Sequence, residues 1–278
     1  MKILSLPLVL FIFITAHAVA APRSQAPQFT REEVQNSISA NAVLLVNARS
    51  NQVLFQKNPT KQLMPASTTK LMTALLVMEN PGLKGQVLVK ASDTQVEPNV
   101  LPLVTGESIS VRELMHAMLI GSENDAAKAL ARHVGGSESQ FIEMMNARAK
   151  QLGCTSTRYA NPHGLTHPGQ YTTCVDLLKI FRKAISYREI KSILETERYT
   201  AHSARGPKLI RNRNLLLGVM PEMRAAKTGY TDAAGHTFAA SAVFKGTEMH
   251  LILLKSKNKW KDSRVLFNYG FHSQVDEE

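Results

Sequence analysis

Two hairpin patterns lie near opposite ends of the 278-residue chain, and helical patterns fill the stretch between them. Residues 42–46 and 52–55 are rich in Val and Leu and flank a run of turn residues, whereas residues 238–244 and 250–254 flank a Lys-Gly turn. Strands at both ends with helices between them predict an α+β fold. We expect one antiparallel sheet formed by the N- and C-terminal segments, flanked by helices and interrupted by a helical insertion.

The helices of this insertion are marked by apolar periodicity and by capping residues. Ser137 with Gln140, and Thr173 with Asp176, have the spacing of capping boxes at helix N-termini. No internal repeat is visible. The predicted helices run from Ser67 to about Met78, over 111–120 and 125–133, from Ser137 to Gly153, from Thr173 to Ala184, and over 260–272.

The first twenty residues predict an export signal. Lys2 precedes an apolar stretch, and small residues up to Ala20 match a secretory cleavage site. We expect a signal peptide over 1–20, a flexible lead-in over 21–29 and one folded domain over 30–278. The alternative is an uncleaved signal anchor, since the apolar stretch approaches the roughly 20 residues that span a bilayer.

Export changes the meaning of the net charge of +11, which comes from 33 Lys and Arg residues against 22 Asp and Glu residues. Outside the cytoplasm nucleic acid is not an expected partner, whereas anionic wall polymers and lipid headgroups are. No second apolar run follows, so we expect a mature chain without a transmembrane anchor in the periplasm or cell-wall space. Cys154 and Cys174 are compatible there with a disulfide or with two separate buried thiols.

A serine and a lysine three residues apart stand at the predicted start of a helix. Residues i and i+3 share a helix face, so the amine of Lys70 can reach the hydroxyl of Ser67. A serine hydroxyl becomes a good nucleophile when a base removes its proton. Lysine serves as that base when burial or a second cation lowers its pKa. On its own the pair is common on helix surfaces and says little about function.

Two further short motifs follow in the chain. Ser122 and Asn124 lie in a tight loop between two predicted helices, and Lys227, Thr228 and Gly229 lie on a predicted strand of the C-terminal sheet. Glycine in a strand lets a ligand approach closely, and lysine binds carboxylates. Each motif alone is typical of a helix cap or a strand end. S-x-x-K, S-x-N and K-T-G together, in this order, are the signature set of the penicillin-recognising serine enzymes.

With these motifs the chain resembles the low-molecular-weight penicillin-binding proteins, the D-alanyl-D-alanine carboxypeptidase family. The resemblance extends over nearly the whole mature chain, and it includes the N-terminal hairpin, Met-Pro-Ala before Ser67, Asn-Pro-His-Gly-Leu over 161–165, and Lys-Thr-Gly-Tyr-Thr over 227–231. It implies the fold of penicillin-binding transpeptidases and serine β-lactamases, with residues 30–278 as the catalytic domain. Many members carry a further C-terminal domain, but only closing strands and a last helix fit after Lys227, so we expect none here.

The resemblance also implies roles for individual residues. Ser67 would be the nucleophile that forms an acyl-enzyme with the penultimate D-alanine of a peptidoglycan stem peptide, and Lys70 would be its general base. Ser122 would relay the proton to the leaving amine. Asn124 would hold the substrate amide.

Substrate recognition would come from the K-T-G strand. Lys227, helped by Thr228, would bind the terminal carboxylate, and the backbone N–H groups of Ser67 and of Tyr230, which follows Gly229, would bind the oxyanion. Two cations in one cleft would also repel each other, so we expect Lys70 and Lys227 to lower the pKa of at least one of the pair. β-Lactams would act as inhibitors, and neither a metal nor an organic cofactor is implied.

Other functions share parts of this pattern. A D,D-endopeptidase, which cuts peptidoglycan cross-links, has the same motifs, and short members of the family include such enzymes. A class A β-lactamase needs a glutamate in an E-x-x-L-N segment, which is missing between Asn124 and Lys227. His163 and His167 have a spacing that would suggest zinc on a helix, but neighbouring Pro and Gly predict a loop.

A wall-binding module without catalysis is a further alternative. Alternating lysines from Lys255 to Lys261 surround Trp260, and in an extended strand they would line one face with positive charge. A solvated strand end accounts for the same pattern. The intact serine and lysine motifs favour the enzyme.

Overall fold

The protein folds around one five-stranded antiparallel sheet. We describe it from a computed structural model, which covers residues 29–81 and 85–273; the expected signal peptide and all but the last residue of the lead-in lie outside these residues. The large sheet has the order β2-β1-β9-β8-β7, and β3–β4 and β5–β6 form two separate ribbons. The strands are β1 (Ala42–Asn47), β2 (Val53–Lys57), β3 (Gln86–Leu88), β4 (Ser108–Ser110), β5 (Arg198–Ser203), β6 (Gly206–Arg211), β7 (Met223–Thr231), β8 (Gly235–Phe244) and β9 (Thr247–Ser256).

The N- and C-terminal segments meet where β1 pairs with β9. Val43 lies opposite Leu253, and the two strands run antiparallel over six residue pairs. The predicted α+β fold, with its sheet built from both ends of the chain, is therefore confirmed. β7 has a paired neighbour on one side only, so the K-T-G motif lies on an open edge of the large sheet.

The insertion is helical, and each predicted cap is present as a single hydrogen bond to the backbone rather than as the reciprocal pair of a capping box. The side-chain oxygens of Ser137 and Thr173 accept hydrogen bonds from the backbone N–H groups of Gln140 and Asp176. In the described part of the chain no helix has both the length and the apolar character needed to cross a membrane. The helices are α1 (Arg31–Ser37), α2 (Lys70–Glu79), α3 (Ala91–Thr94), α4 (Val111–His116), α5 (Asn124–Gly135), α6 (Glu138–Gln151), α7 (Cys174–Ile185), α8 (Arg188–Leu194) and α9 (Lys259–Ser273), with a 3₁₀ turn at Ala66–Thr69 and a π-helical segment at Ala117–Gly121.

Two apolar cores lie on the two faces of the sheet. Leu44 of β1 belongs to the larger core, which the helices of the insertion complete, whereas Val43 and Leu45 belong to a core covered by α1 and α9. Successive residues of a strand point to opposite faces, so a strand buried on both faces has a continuous apolar sequence. This explains why β1 and β9 read as unbroken apolar runs.

The lysine run after β9, the two small ribbons and the two cysteines are the places where the structure differs from the sequence-based expectations or decides between them. β9 ends at Ser256 and α9 begins at Lys259, so the alternating lysines do not line the face of one strand, and Lys259 is buried. The ribbons β3–β4 and β5–β6 were not predicted. Their strands are short and carry many exposed polar residues, so the sequence shows no clear alternation of apolar and polar residues there. Cys154 and Cys174 are separate buried thiols.

Candidate active site

An open cleft of about 620 Å³ brings the three motifs together. Strand β7, strand β6 and the segment before α5 line it. The eight residues singled out in the sequence all lie at this place: Ser67, Ser122, Thr228, Gly229 and Tyr230 line the cleft, and Lys70, Asn124 and Lys227 are buried behind its surface.

The backbone around Ser67 is unusually close-packed. Ala66 has φ +47°, a left-handed conformation that residues with a side chain rarely adopt. A Cβ atom at Gly164 would overlap the carbonyl oxygen of Ala66, and a Cβ at Gly229 would lie 2.7 Å from the backbone nitrogen of Ser67. These two glycines therefore let the 161–165 loop and the K-T-G strand close around Ser67.

Replacing Gly164 with alanine should strongly destabilise the protein. Its φ of +93° disfavours a side chain, and the added methyl group would collide with backbone that cannot move aside. We expect Gly164→Ala to lower the free energy of unfolding by about 3 kcal/mol or more, measured by urea titration. The matched control is Gly246→Ala, where φ is +81° but no atom lies within 4 Å of the added Cβ, so the loss should be about 1 kcal/mol. Equal losses at the two positions would show that packing around Ser67 contributes nothing.

Lys70 is the first residue of α2, and its amine has three close partners. Nζ lies 3.0 Å from Oγ of Ser67, 2.7 Å from Oδ1 of Asn124 and 2.6 Å from the carbonyl oxygen of His163. The last two atoms only accept hydrogen bonds. A neutral amine has two N–H groups and one lone pair, so donation to the two acceptors leaves the lone pair for the Ser67 hydroxyl.

The electrostatic setting favours this neutral form. Burial is the main cause that lowers the pKa of Lys70 well below its usual value, and repulsion from Lys227 lowers it further. The expectation that repulsion between the two lysines lowers the pKa of at least one of them is therefore confirmed for Lys70. The carboxylates of Glu123 and Asp125 act in the opposite direction and raise the pKa of Lys70.

Ser122 and Lys227 form a second pair within the site. Nζ of Lys227 donates to Oγ of Ser122 at 3.0 Å and to the carbonyl oxygen of Thr228 at 3.0 Å. Ser122 follows the π-helical segment and has φ +64°, which turns the chain sharply between the two helices. An ammonium at Lys227 has a third N–H left for a ligand, and Thr228 stands beside it on the cleft wall.

The pKa of Lys227 is lowered to about 7, mainly by burial and then by the nearby charge of Arg213. A carboxylate ligand needs the charged form of Lys227, which is lost as pH rises through about 7. We expect kcat/KM for a peptide that ends in a free carboxylate to fall above this pH, while the same peptide with a C-terminal carboxamide shows no such fall. Parallel pH profiles for the two peptides would exclude Lys227 as the carboxylate-binding group.

Asn124 and Tyr230 differ in how open they are to a ligand. Oδ1 of Asn124 accepts from Lys70, its Nδ2 donates to the carbonyl oxygen of Pro98, and its side chain is buried. In this structure Asn124 therefore positions Lys70. Tyr230 is half exposed, and its hydroxyl donates to Oδ1 of Asp232 at 2.9 Å.

Sequence reasoning missed four cations that line the cleft, and two of them, Arg213 and Lys259, also act on Lys227. Arg213 donates to the carbonyl oxygen of Gly121 at 3.1 Å, and Lys259 donates to Nδ1 of His236 at 3.0 Å. Both line the cleft and both lower the pKa of Lys227. Arg213 stands in an irregular polar segment with no motif. Lys259 lies in a run of alternating lysines, so nothing in the sequence assigned it alone to the cleft.

Glu123, the middle residue of the S-x-N motif, links the motif to the β5–β6 ribbon. Its Oε1 lies 3.2 Å from Nζ of Lys208 on β6. Gly121 packs directly on the same strand, since a Cβ there would lie 2.7 Å from Cγ2 of Ile210. The ribbon is thus fixed against the motif and forms a part of the cleft.

Metal ligands are not clustered in the part of the chain that the structure describes: no three His, Cys, Asp or Glu side chains are placed to hold an ion. His163 lies in a loop, as expected, and burial followed by repulsion from Lys70 lowers its pKa to about 3. Its Nδ1 accepts from the backbone N–H of Leu165.

Comparison with known proteins gives one consistent result. A sequence model of the D-alanyl-D-alanine carboxypeptidase family matches residues 28–258. The D-alanyl-D-alanine carboxypeptidase DacF of Bacillus subtilis is 33% identical over 229 residues, which are 80% of this chain but only 59% of DacF, so the chain spans less than two thirds of that relative. The D-alanyl-D-alanine endopeptidase of Pseudomonas aeruginosa is 29% identical over 255 residues, 90% of this chain and 82% of the relative.

The fold comparison agrees. The crystal structure of a D-alanyl-D-alanine carboxypeptidase from Mycobacterium tuberculosis matches with a TM-score of 0.81 and 30% identity, covering 91% of this chain and 96% of the other. The expected resemblance in sequence and in fold is therefore confirmed. The chain belongs to the D-alanyl-D-alanine carboxypeptidase family of serine peptidases.

Proposed function

We propose that the protein is an exported serine D,D-carboxypeptidase. It removes the terminal D-alanine from peptidoglycan stem peptides through an acyl-enzyme on Ser67, and β-lactams inhibit it by acylating the same oxygen. The observation that carries the proposal is the 3.0 Å contact between Nζ of Lys70 and Oγ of Ser67, with a fully buried amine. Such an amine is a base at neutral pH, which an exposed lysine is not.

Acylation begins with proton transfer from Ser67 to Lys70. Oγ of Ser67 attacks the carbonyl carbon of the penultimate D-alanine, and the backbone N–H groups of Ser67 and Tyr230 stabilise the negative charge on the carbonyl oxygen. Ser122 passes its hydroxyl proton to the amine of the terminal D-alanine and regains the proton that Lys70 took from Ser67. The C–N bond breaks, an ester remains on Ser67, and Lys70 is neutral again. Water then cleaves the ester and returns the proton to Oγ.

Recognition of the substrate depends on the cations of the cleft. Lys227 and Thr228 bind the terminal carboxylate, with Arg213 and Lys259 adding positive charge around them. Three cations around one anionic group favour a free carboxylate over an amide at this position. This selects peptides with a free carboxylate beside the scissile bond, as a carboxypeptidase requires.

The second candidate is a D,D-endopeptidase that cleaves cross-links. The similarity to the endopeptidase of Pseudomonas aeruginosa over 90% of this chain favours it. The bond in a cross-link also has a carboxylate beside the leaving amine, so the same cations would serve. A cleft that is open rather than tunnel-like accepts the longer leaving group.

A direct test uses the purified mature protein with a mixture of pentapeptide monomers and cross-linked muropeptides, analysed by mass spectrometry. Release of free D-alanine from the monomers supports the carboxypeptidase. Loss of dimers with intact pentapeptides supports the endopeptidase instead. If both substrates remain unchanged while the protein is folded, the enzymatic proposal is overturned and a wall-binding module takes its place.

A further inference from the structure

The cleft is bordered by a second open strand edge, which none of the three motifs includes. β6 pairs with β5 only, and its residues Leu209 and Arg211 line the cleft together with Gly229 of β7. β6 and β7 belong to different sheets. The cleft therefore has unpaired strand edges from two sheets along its walls.

The register of the ribbon shows which backbone groups face this edge. Asn212 donates from its backbone N–H to the carbonyl oxygen of Glu197 at 2.8 Å, so this residue pair is a hydrogen-bonded one. In an antiparallel ladder, hydrogen-bonded and non-hydrogen-bonded pairs alternate. Leu209 and Arg211 therefore belong to non-hydrogen-bonded pairs, and their N–H and C=O groups point away from β5. An extended peptide can pair with such an edge.

Two arginines stand side by side on the ribbon. Arg198 and Arg211 are direct cross-strand partners, so their side chains lie on the same face, at the close spacing of a non-hydrogen-bonded pair. Both are exposed, and within the described residues neither side chain has a hydrogen bond or an ion pair. Even Glu197, next to Arg198, forms no ion pair with them.

This arrangement costs stability, and nothing in the described part of the chain compensates for it. Like charges placed directly opposite each other on a ribbon repel. Elsewhere on the same ribbon Lys208 forms an ion pair with Glu123. A cation of this ribbon can therefore have a counter-charge within the protein, and the two arginines differ from Lys208 in this respect. An anion that binds between the two guanidinium groups would remove the repulsion and gain charge-assisted hydrogen bonds.

We propose that Arg198 and Arg211 recognise a second carboxylate of the substrate, on the acyl side of the scissile bond. The peptide lies extended along the outer edge of β6, where Leu209 offers a half-exposed apolar side chain, and its acidic residue meets the arginine pair. The preferred substrate class is thus an acidic peptide that ends in D-alanyl-D-alanine. This inference rests on the proposed function and adds a determinant of specificity to it.

The test uses two synthetic pentapeptides that differ in one group. Both end in D-Ala-D-Ala and have an acetylated lysine before it; one carries γ-linked D-glutamate with a free α-carboxylate, and the other carries the α-carboxamide. We expect the wild-type protein to favour the carboxylate peptide by about tenfold in kcat/KM. Arg198→Gln combined with Arg211→Gln should reduce this preference to about one, by slowing only the acidic peptide.

Two control variants separate charge from general damage. Arg198→Lys with Arg211→Lys keeps both charges and should retain most of the preference. Arg188→Gln removes an exposed arginine of α8, outside the cleft, and should change neither peptide. The preference should also shrink as salt is added, because exposed charges are screened.

Binding to the Ser67→Ala variant gives a readout that is independent of hydrolysis. Titration calorimetry with the same two peptides should show the same preference in Kd. If wild type hydrolyses neither peptide, the proposed function fails, and the difference in Kd still decides on the arginine pair. If both peptides bind and react equally, or if the double Gln variant keeps the preference, the inference is overturned while the proposed function stands.

Discussion

Ser67→Ala should abolish covalent labelling by a fluorescent penicillin and lower hydrolysis of D-alanyl-D-alanine peptides by about 10⁴-fold or more. The reason is that the variant has no oxygen that can form the ester, while the surrounding backbone is unchanged. Labelling is read on a denaturing gel, where only a covalent adduct remains. Hydrolysis is read as free D-alanine.

The matched control for this result is Ser122→Ala. Ser122 lies in the same cleft and contacts a lysine, Lys227, so it is the alternative candidate for the nucleophile. We expect Ser122→Ala to label more slowly but to full stoichiometry, because Ser67 and Lys70 remain. Full labelling of Ser67→Ala together with none of Ser122→Ala would exchange the roles of the two serines.

Lys70→Met should lower the rate of acylation by benzylpenicillin by about 10³-fold. Methionine fills a similar volume but cannot accept the proton of Ser67. Removal of the amine also leaves Oδ1 of Asn124 and the carbonyl oxygen of His163 without their donor, so some loss of thermal stability is expected as well. Stopped-flow measurement of acylation at saturating penicillin separates the chemical step from binding.

Lys70→Arg distinguishes the loss of a base from the loss of a charge. Arginine keeps a cation and several donors at this place, but it does not release its proton in the accessible pH range. We expect it to acylate as slowly as the methionine variant. An arginine variant with near wild-type rates would show that Lys70 acts through its charge, and the base would have to be another group.

Much of this site could be predicted because it is local in sequence. Ser67 and Lys70 are one helical turn apart, so their 3.0 Å contact follows from helix geometry once the helix is placed. The strand that carries the K-T-G residues could be predicted because the apolar runs of β8 and β9 indicate the sheet to which it belongs. The closing of the sheet by β1 follows from the hairpin patterns at both ends.

Other parts could not be predicted, because they depend on contacts distant in sequence. Arg213 and Glu123 are 90 positions apart in a chain with no motif to connect them, and the fold alone brings the β5–β6 ribbon onto the S-x-N segment. The contact of Lys259 could not be predicted either, since Lys259 begins α9 whereas its partner His236 lies on strand β8. The same holds for the contacts of the Asn124 amide with Lys70 and Pro98, because both partners are distant in sequence.

The open edges of β6 and β7 have a consequence for the behaviour of the protein in solution. An unpaired strand edge accepts any extended chain, including a strand from a second molecule, and is a common starting point for aggregation. Here Lys208, Arg211, Arg213 and Lys259 surround the opening, so a second copy would bring the same positive charges against them. The charges that attract an anionic peptide therefore also keep like molecules apart, and crowding at high salt is the condition under which this protection weakens.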